Sequence, residues 1–167
     1  DRDNVNDIDG GSPFMISGEF SGTSISFGAT TFTNSSTGIY DAFTFYIDNN
    51  NTETSALQIG GIDDQKMTGV AYLVGTGSVN SIITGNFRSA SVSIGTINIT
   101  NSNPGTSEGF VAGLSGGIPV WAKKITGAND DEVYGLDADL NNNCYLTGAF
   151  NSPQVSSGSH TATNTQT

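Results

Sequence analysis

The chain has 167 residues, 35% apolar and only 13% charged, and its 16 acids against five lysines and arginines give a formal net charge of −11. Nucleic acid and anionic membrane surfaces are thereby poor partners, because phosphate recognition needs clustered positive charge. One cysteine and one histidine exclude an internal disulfide framework, a thiolate metal cluster, a histidine-based triad and a multi-histidine zinc site, and no apolar run approaches the ~18 residues a membrane span needs.

Glycine is plentiful (22 residues), and Ser, Thr and Asn crowd the remainder. That mixture suits short strands joined by polar turns, since Gly and Asn supply the positive φ values that turns require. Nine Phe, five Tyr and regular Val/Ile/Leu alternation separate the chain from a disordered one. No segment sustains a 3.6-residue apolar period, so the chain is expected to be all-β.

The elements run as follows. Asp1-Arg2-Asp3-Asn4 is neither a leader nor an initiator Met, so the chain is expected to be a processed or partial product. Val5–Asp9 alternates and reads as a first strand, with Phe14–Phe20 returning as its hairpin partner. A long Ser/Thr/Asn-rich connection leads to a strand at Asp41–Asp48, and Ala56–Gly61 closes the set. A second set follows: Thr68–Leu73, Ser81–Phe87, a connection, Glu108–Ser115, and a last strand that carries Trp121 and matches at Ala122–Gly127. A third opens with Val133–Asp139, turns at Asn141-Asn142-Asn143 and returns along Cys144–Phe150 before a polar tail.

These sets are copies of one another. Ser17-Gly18-Glu19-Phe20 recurs as Thr84-Gly85-Asn86-Phe87 and as Thr147-Gly148-Ala149-Phe150, at offsets of 67 and then 63 residues. Ile25-Ser26-Phe27-Gly28 recurs at the same offsets as Val92-Ser93-Ile94-Gly95 and Val155-Ser156-Ser157-Gly158, each continuing to an Asn (Asn34, Asn101, Asn164). Asp41–Asp48 matches Glu108–Ser115, and Ala56–Gly61 matches Ala122–Gly127. Matches in one constant order define a repeat, dividing the chain into residues 1–65, 66–127 and a partial 128–167. Gly18, Gly85 and Gly148 are expected to meet a packing need where copies adjoin rather than to bind a ligand.

The run Asp139-Leu140-Asn141-Asn142-Asn143-Cys144-Tyr145-Leu146-Thr147-Gly148, the Asp41-Ala42-Phe43 strand, Trp121-Ala122-Lys123-Lys124 and Gly127-Ala128-Asn129-Asp130-Asp131 resemble the SBBP repeat family, bacterial repeats named for seven-bladed β-propellers. The resemblance covers nearly the whole chain, although the middle copy lacks the Asp and carries an insertion at Val74–Asn80. It implies four-stranded antiparallel blades, about two and a half of them, within a larger propeller or assembly, since rings use about four to eight. It also implies a large, secreted, cell-surface bacterial protein.

Chemistry is sparse. No catalytic, cofactor-binding or metal-ligating residue is assigned, and the chain is read as no enzyme. His160 lies in the polar tail, Cys144 is expected to be buried in its strand, and Trp121 is expected to serve core or inter-blade packing. Gly75-Thr76-Gly77 and Gly113–Gly117 fall on hairpin turns without the Lys or following helix that phosphate cradling needs. Acid pairs remain: Asp7 and Asp9, aligned with Asp137 and Asp139, and the turn pairs Asp63-Asp64 and Asp130-Asp131. Oxygen-rich turns of this kind suit Ca²⁺. The EF-hand spacing is absent, however, with Val5 where a third ligand belongs, so these acids are expected to accept backbone N–H bonds within turns instead.

The expected role is a non-catalytic structural or adhesive segment, extracellular or on the cell surface. Its partners would be the rest of the polypeptide or adjacent subunits, with no nucleic acid and no membrane insertion. The alternative is a lectin-like module binding glycan or protein through the loops Ser35–Tyr40 and Asn101–Ser107, with Tyr40 beside Asp41 as the aromatic–acid pair. An isolated stretch would leave a sheet face and a strand edge uncovered, so association is expected.

Overall fold

The computed structural model describes residues 2–10, 13–34, 36–75 and 77–165, and these contain sixteen strands and no helix. The first unit consists of β1 (Asp3–Gly10), β2 (Phe14–Phe20), β3 (Ser24–Phe27), β4 (Thr30–Thr33), β5 (Asp41–Ile47) and β6 (Glu53–Gly60). The second holds β7 (Gln65–Tyr72), β8 (Ser81–Phe87), β9 (Ser91–Ile94), β10 (Ile97–Thr100), β11 (Glu108–Ser115) and β12 (Ile118–Ile125). The third comprises β13 (Asp131–Ala138), β14 (Cys144–Phe150), β15 (Gln154–Ser157) and β16 (His160–Thr163).

In the first unit β1-β2-β5-β6 form an antiparallel meander, and in the second β7-β8-β11-β12 do the same. The register repeats residue by residue. Phe20, Phe87 and Phe150 pair with the first residue of their opening strands, Asp3, Gln65 and Asp131. A bulge follows at the same place each time, between Val5 and Asp7, Met67 and Gly69, and Val133 and Gly135. A bulge adds one residue to one strand and sharpens its twist, and three in register mark a built feature.

The Ser/Thr/Asn-rich connection is more than a connection. Within it β3–β4, β9–β10 and β15–β16 are two-stranded hairpins, so each unit carries two strands beyond the expected set, and the third unit's polar tail is partly β-structure. Gly28, Gly95 and Gly158 open their turns at φ of 56 to 60°, a conformation that side chains resist and glycine adopts freely. Four-residue strands are too short to stand out against a Ser/Thr-rich background. The loop Asn then anchors the hairpin's return: the N–H groups of Asn34, Asn101 and Asn164 donate to the carbonyls of Thr23, Ala90 and Pro153.

The sheets stack face to face. Met15, Ala42 and Tyr46 from the back of the first sheet meet Met67, Ile83, Phe87, Phe110, Ala112 and Leu114 from the front of the second. The back of the second sheet, through Ile82 and Val111, meets Leu136 and Ala138 of the third unit, with Trp121 against this cluster. The front of the first sheet is covered by its own hairpin, where Phe27 stacks on Phe45 with centroids 4.2 Å apart. Burying a large apolar side chain contributes about 1.5–3 kcal/mol, so these layers are the main source of cohesion.

Units are also joined edge to edge. The second unit's hairpin extends the first sheet, pairing Ile59 with Ile94 and Gly60 with Ser93. At the equivalent place Thr126 bridges Ser156, so the third unit's hairpin meets the second sheet. No closed sheet is present among the described residues.

Candidate functional site

The repeated glycine stands between two neighbours of its own sheet. A Cβ on Gly18 would lie 2.1 Å from the Asn4 carbonyl oxygen and 2.6 Å from Cζ of Phe43. On Gly85 it would lie 2.2 Å from the Lys66 oxygen and 2.7 Å from Cε1 of Phe110. The glycine therefore admits the carbonyl that precedes the bulge on one side and a phenylalanine ring on the other. This places the packing need within each sheet, not where copies adjoin.

In the third unit only half of that arrangement is present. A Cβ on Gly148 would lie 2.2 Å from the Glu132 oxygen, and no ring atom comes within 3.2 Å of it. β14 pairs with β13 along one edge, and its other edge is unpaired among the described residues. Beside it lies a cleft of about 190 Å³ whose walls include Ile125, Leu146, Gly148, Phe150 and Val155. Leu146 is 38% exposed, whereas its equivalent Ile83 is fully buried.

Cys144, expected to be buried, is exposed. It begins β14 at the position of fully buried Ser81, which is covered because β11 lies alongside. Burial of the thiol by its remaining neighbours, then the nearby Asp139 charge, push its pKa up. His160 opens β16 across from Ser157 and is exposed.

The acids are occupied with backbone. Asp7 accepts from the Val70 N–H at 2.9 Å and Asp9 from the Tyr72 N–H at 2.6 Å, so the opening strand of one unit caps the free edge of the next. The structural partner of Asp9 is Asp137, not Asp139, because Met15 and Tyr145 hold equivalent positions opposite them. The longer third-unit turn shifts the alignment by two residues. Asp139 lies beyond β13 and gathers the backbone N–H groups of Asn141 and Asn143, the Asn143 side-chain amide and the Tyr145 hydroxyl. These bonds, led by the Asn143 side chain, hold its carboxyl below the usual range. Asp64 and Asp130 accept the N–H groups of Tyr40 and Ser107, and Asp131 accepts from Ser152. Among the described residues no group of three or more His, Cys, Asp or Glu is placed to hold a metal ion.

The loop Asn101–Ser107 is closed by its own side chains, Asn101 Nδ2 donating to the Thr106 carbonyl at 2.8 Å and the Thr106 hydroxyl to the Asn103 carbonyl at 2.7 Å. Ser35 and Thr76 lie outside the described residues, so the loop 35–40 and the run 75–77 are described only in part. Tyr40 is half-buried beneath Lys66, whose Nζ stands 5.9 Å from the ring centroid. A polar cleft of about 200 Å³ opens between the second and third units, its walls including Lys66, Asn86, Arg88, Glu132 and Tyr134. The glycines Gly116 and Gly117 form a two-residue turn between β11 and β12 at φ of 56 and 84°. Trp121 is half-buried over Gly113, where a Cβ would meet its indole Nε1 at 2.4 Å. No protein-family model, curated protein or solved structure matches this chain.

Proposed function

We propose that the chain is a non-catalytic structural and adhesive repeat segment, a succession of β-propeller blades of the SBBP kind, belonging to a large bacterial protein outside the cell or on its surface. The observation that supports this most is the repeated junction: hairpin onto preceding sheet, with Gly60 across from Ser93 and Thr126 across from Ser156. One junction geometry used twice is what an array of like units requires. The acidic, Ser/Thr/Asn-rich exterior fits a solvated surface. An antibody raised against the chain should label intact cells or the culture medium of the source organism. Labelling that appears only after lysis would remove the extracellular part of the reading.

A second reading, a lectin-like module, rests on the polar cleft bounded by Lys66, Arg88, Glu132 and Tyr134. A glycan array separates the two. Binding that Tyr134→Ala abolishes without altering the melting temperature would favour recognition over scaffolding.

A further inference from the structure

We infer that the edge of β14 left unpaired among the described residues is an acceptor site for a β-hairpin of the β11–β12 kind, whose phenylalanine enters the cleft beside Gly148. The inference rests on the repeat reading of the fold, though not on ring closure or location.

The occupied copies define the occupant. In the first unit Asp41, Ala42 and Phe43 stand opposite Phe20, Glu19 and Gly18. In the second, Glu108, Gly109 and Phe110 stand opposite Phe87, Asn86 and Gly85. The incoming strand at β14 thus carries an acid opposite Phe150, a small residue opposite Ala149 and a phenylalanine opposite Gly148. Its acid is supplied with a donor by the hairpin's second strand, as Gln58 Nε2 donates to Asp41 at 2.7 Å and Lys124 Nζ stands 3.7 Å from Glu108. The Thr84 hydroxyl donates to the Phe110 carbonyl at 2.6 Å, and Thr147 holds the same place on β14.

The receiving surface already has its other parts. Glycine is in place at 148, the preceding carbonyl of Glu132 is seated against it, and the cleft bounded by Leu146, Phe150 and Val155 lies where the ring belongs. An extended edge with unpaired backbone groups binds a strand through main-chain hydrogen bonds, and the side-chain pocket sets which strand.

The test uses the full chain and a synthetic hairpin of sequence Glu108–Ile125, which contains no cysteine. Docking should cover Cys144 as β11 covers Ser81, slowing its alkylation by roughly tenfold or more, with hydrogen-exchange protection along β14. A hairpin carrying Phe110→Ala should bind about a hundredfold more weakly. Because a free hairpin can self-associate, a second arm replaces Asn164–Thr167 by another copy of Asn101–Gly127. That graft should protect Cys144 and raise the melting temperature, and its own Phe110→Ala version should do neither. Absence of protection in both arms, or equal protection by the alanine versions, overturns the inference and leaves the proposed cellular role untouched.

Discussion

Phe110 stands directly across the sheet from Gly85, and its ring fills the space where any larger residue's Cβ would be. The pair works in both directions. Phe110→Ala should destabilise the chain by about 3–5 kcal/mol through the cavity it leaves. Gly85→Ala should destabilise it by about 1–3 kcal/mol through overpacking between ring and carbonyl. Gly148→Ala, which meets the carbonyl alone, should fall at the lower end of that range. Urea midpoints at constant m-value would rank the three, and a Gly148 variant as costly as the Gly85 one would contradict the account.

Asp7 links two units by accepting the Val70 N–H on the free edge of β7. Asp7→Ala leaves the amide of buried Val70 without its acceptor and should cost about 1–3 kcal/mol. Asp9 makes the same bond to Tyr72 from an exposed position, so its alanine variant should cost less. Hydrogen exchange at the Val70 amide should quicken in the first variant. An unchanged rate would show that water replaces the carboxylate at no cost.

Acid should weaken the fold through its turns. Asp48 is held below its ordinary pKa chiefly by the Thr52 and Asn50 N–H groups, and Asp139 chiefly by Asn143. A carboxylate whose folded pKa is depressed stabilises the fold fully above the unfolded value of about 4, and that contribution is lost as pH falls through the folded value. Melting temperature should therefore drop on going from pH 5 to pH 3. The drop should be smaller in Asp48→Asn and Asp139→Asn. Equal drops in wild type and variants would place the acid sensitivity elsewhere.

The Cys144 thiol is exposed yet reluctant to ionise, because burial by its neighbours and the Asp139 charge both oppose the thiolate. Since the thiolate is the reacting form, alkylation at pH 7 should be slower than for a free cysteine and should rise with pH. Asp139→Asn should quicken it at constant pH. Rates that ignore this substitution would leave desolvation as the whole cause.

Alkali should act at a different place. Tyr46 is buried between the first and second sheets with its hydroxyl bonded to Ser81, and burial pushes its pKa up. A group whose folded pKa is raised stabilises the fold below its unfolded value, about 10 for tyrosine, and ceases to do so as pH rises through the folded one. Tyr46→Phe should therefore melt with a shallower loss above pH 10. Superimposable alkaline profiles would mean that the ring tolerates ionisation where it stands.

Much of the fold was legible because the repeat displays itself. β2, β8 and β14 carry the same four-residue signature, and their ends follow from it. The hairpin in each connection escaped because Ser24–Phe27 and Thr30–Thr33 alternate over only four residues amid many Ser and Thr. The Asp7 and Asp9 roles were half legible: acids accepting N–H bonds were expected, but in turns rather than across units. Their match to the third copy was misread because a hairpin turn two residues longer is invisible to a fixed offset. The cleft beside Gly148 could not be read from sequence at all, since it exists only by contrast with Gly18 and Gly85.

The junction in which one unit's hairpin completes the sheet before it is reciprocated. Losing the pairing of Gly60 with Ser93 would bare the edge of β6, while the hairpin's own strands would still hold each other. Asp7 and Asp9 of the first unit cap β7 of the second in return, so opening of either unit bares a sheet edge of the other. Adjoining units should therefore lift together, like interleaved shingles, and not one by one.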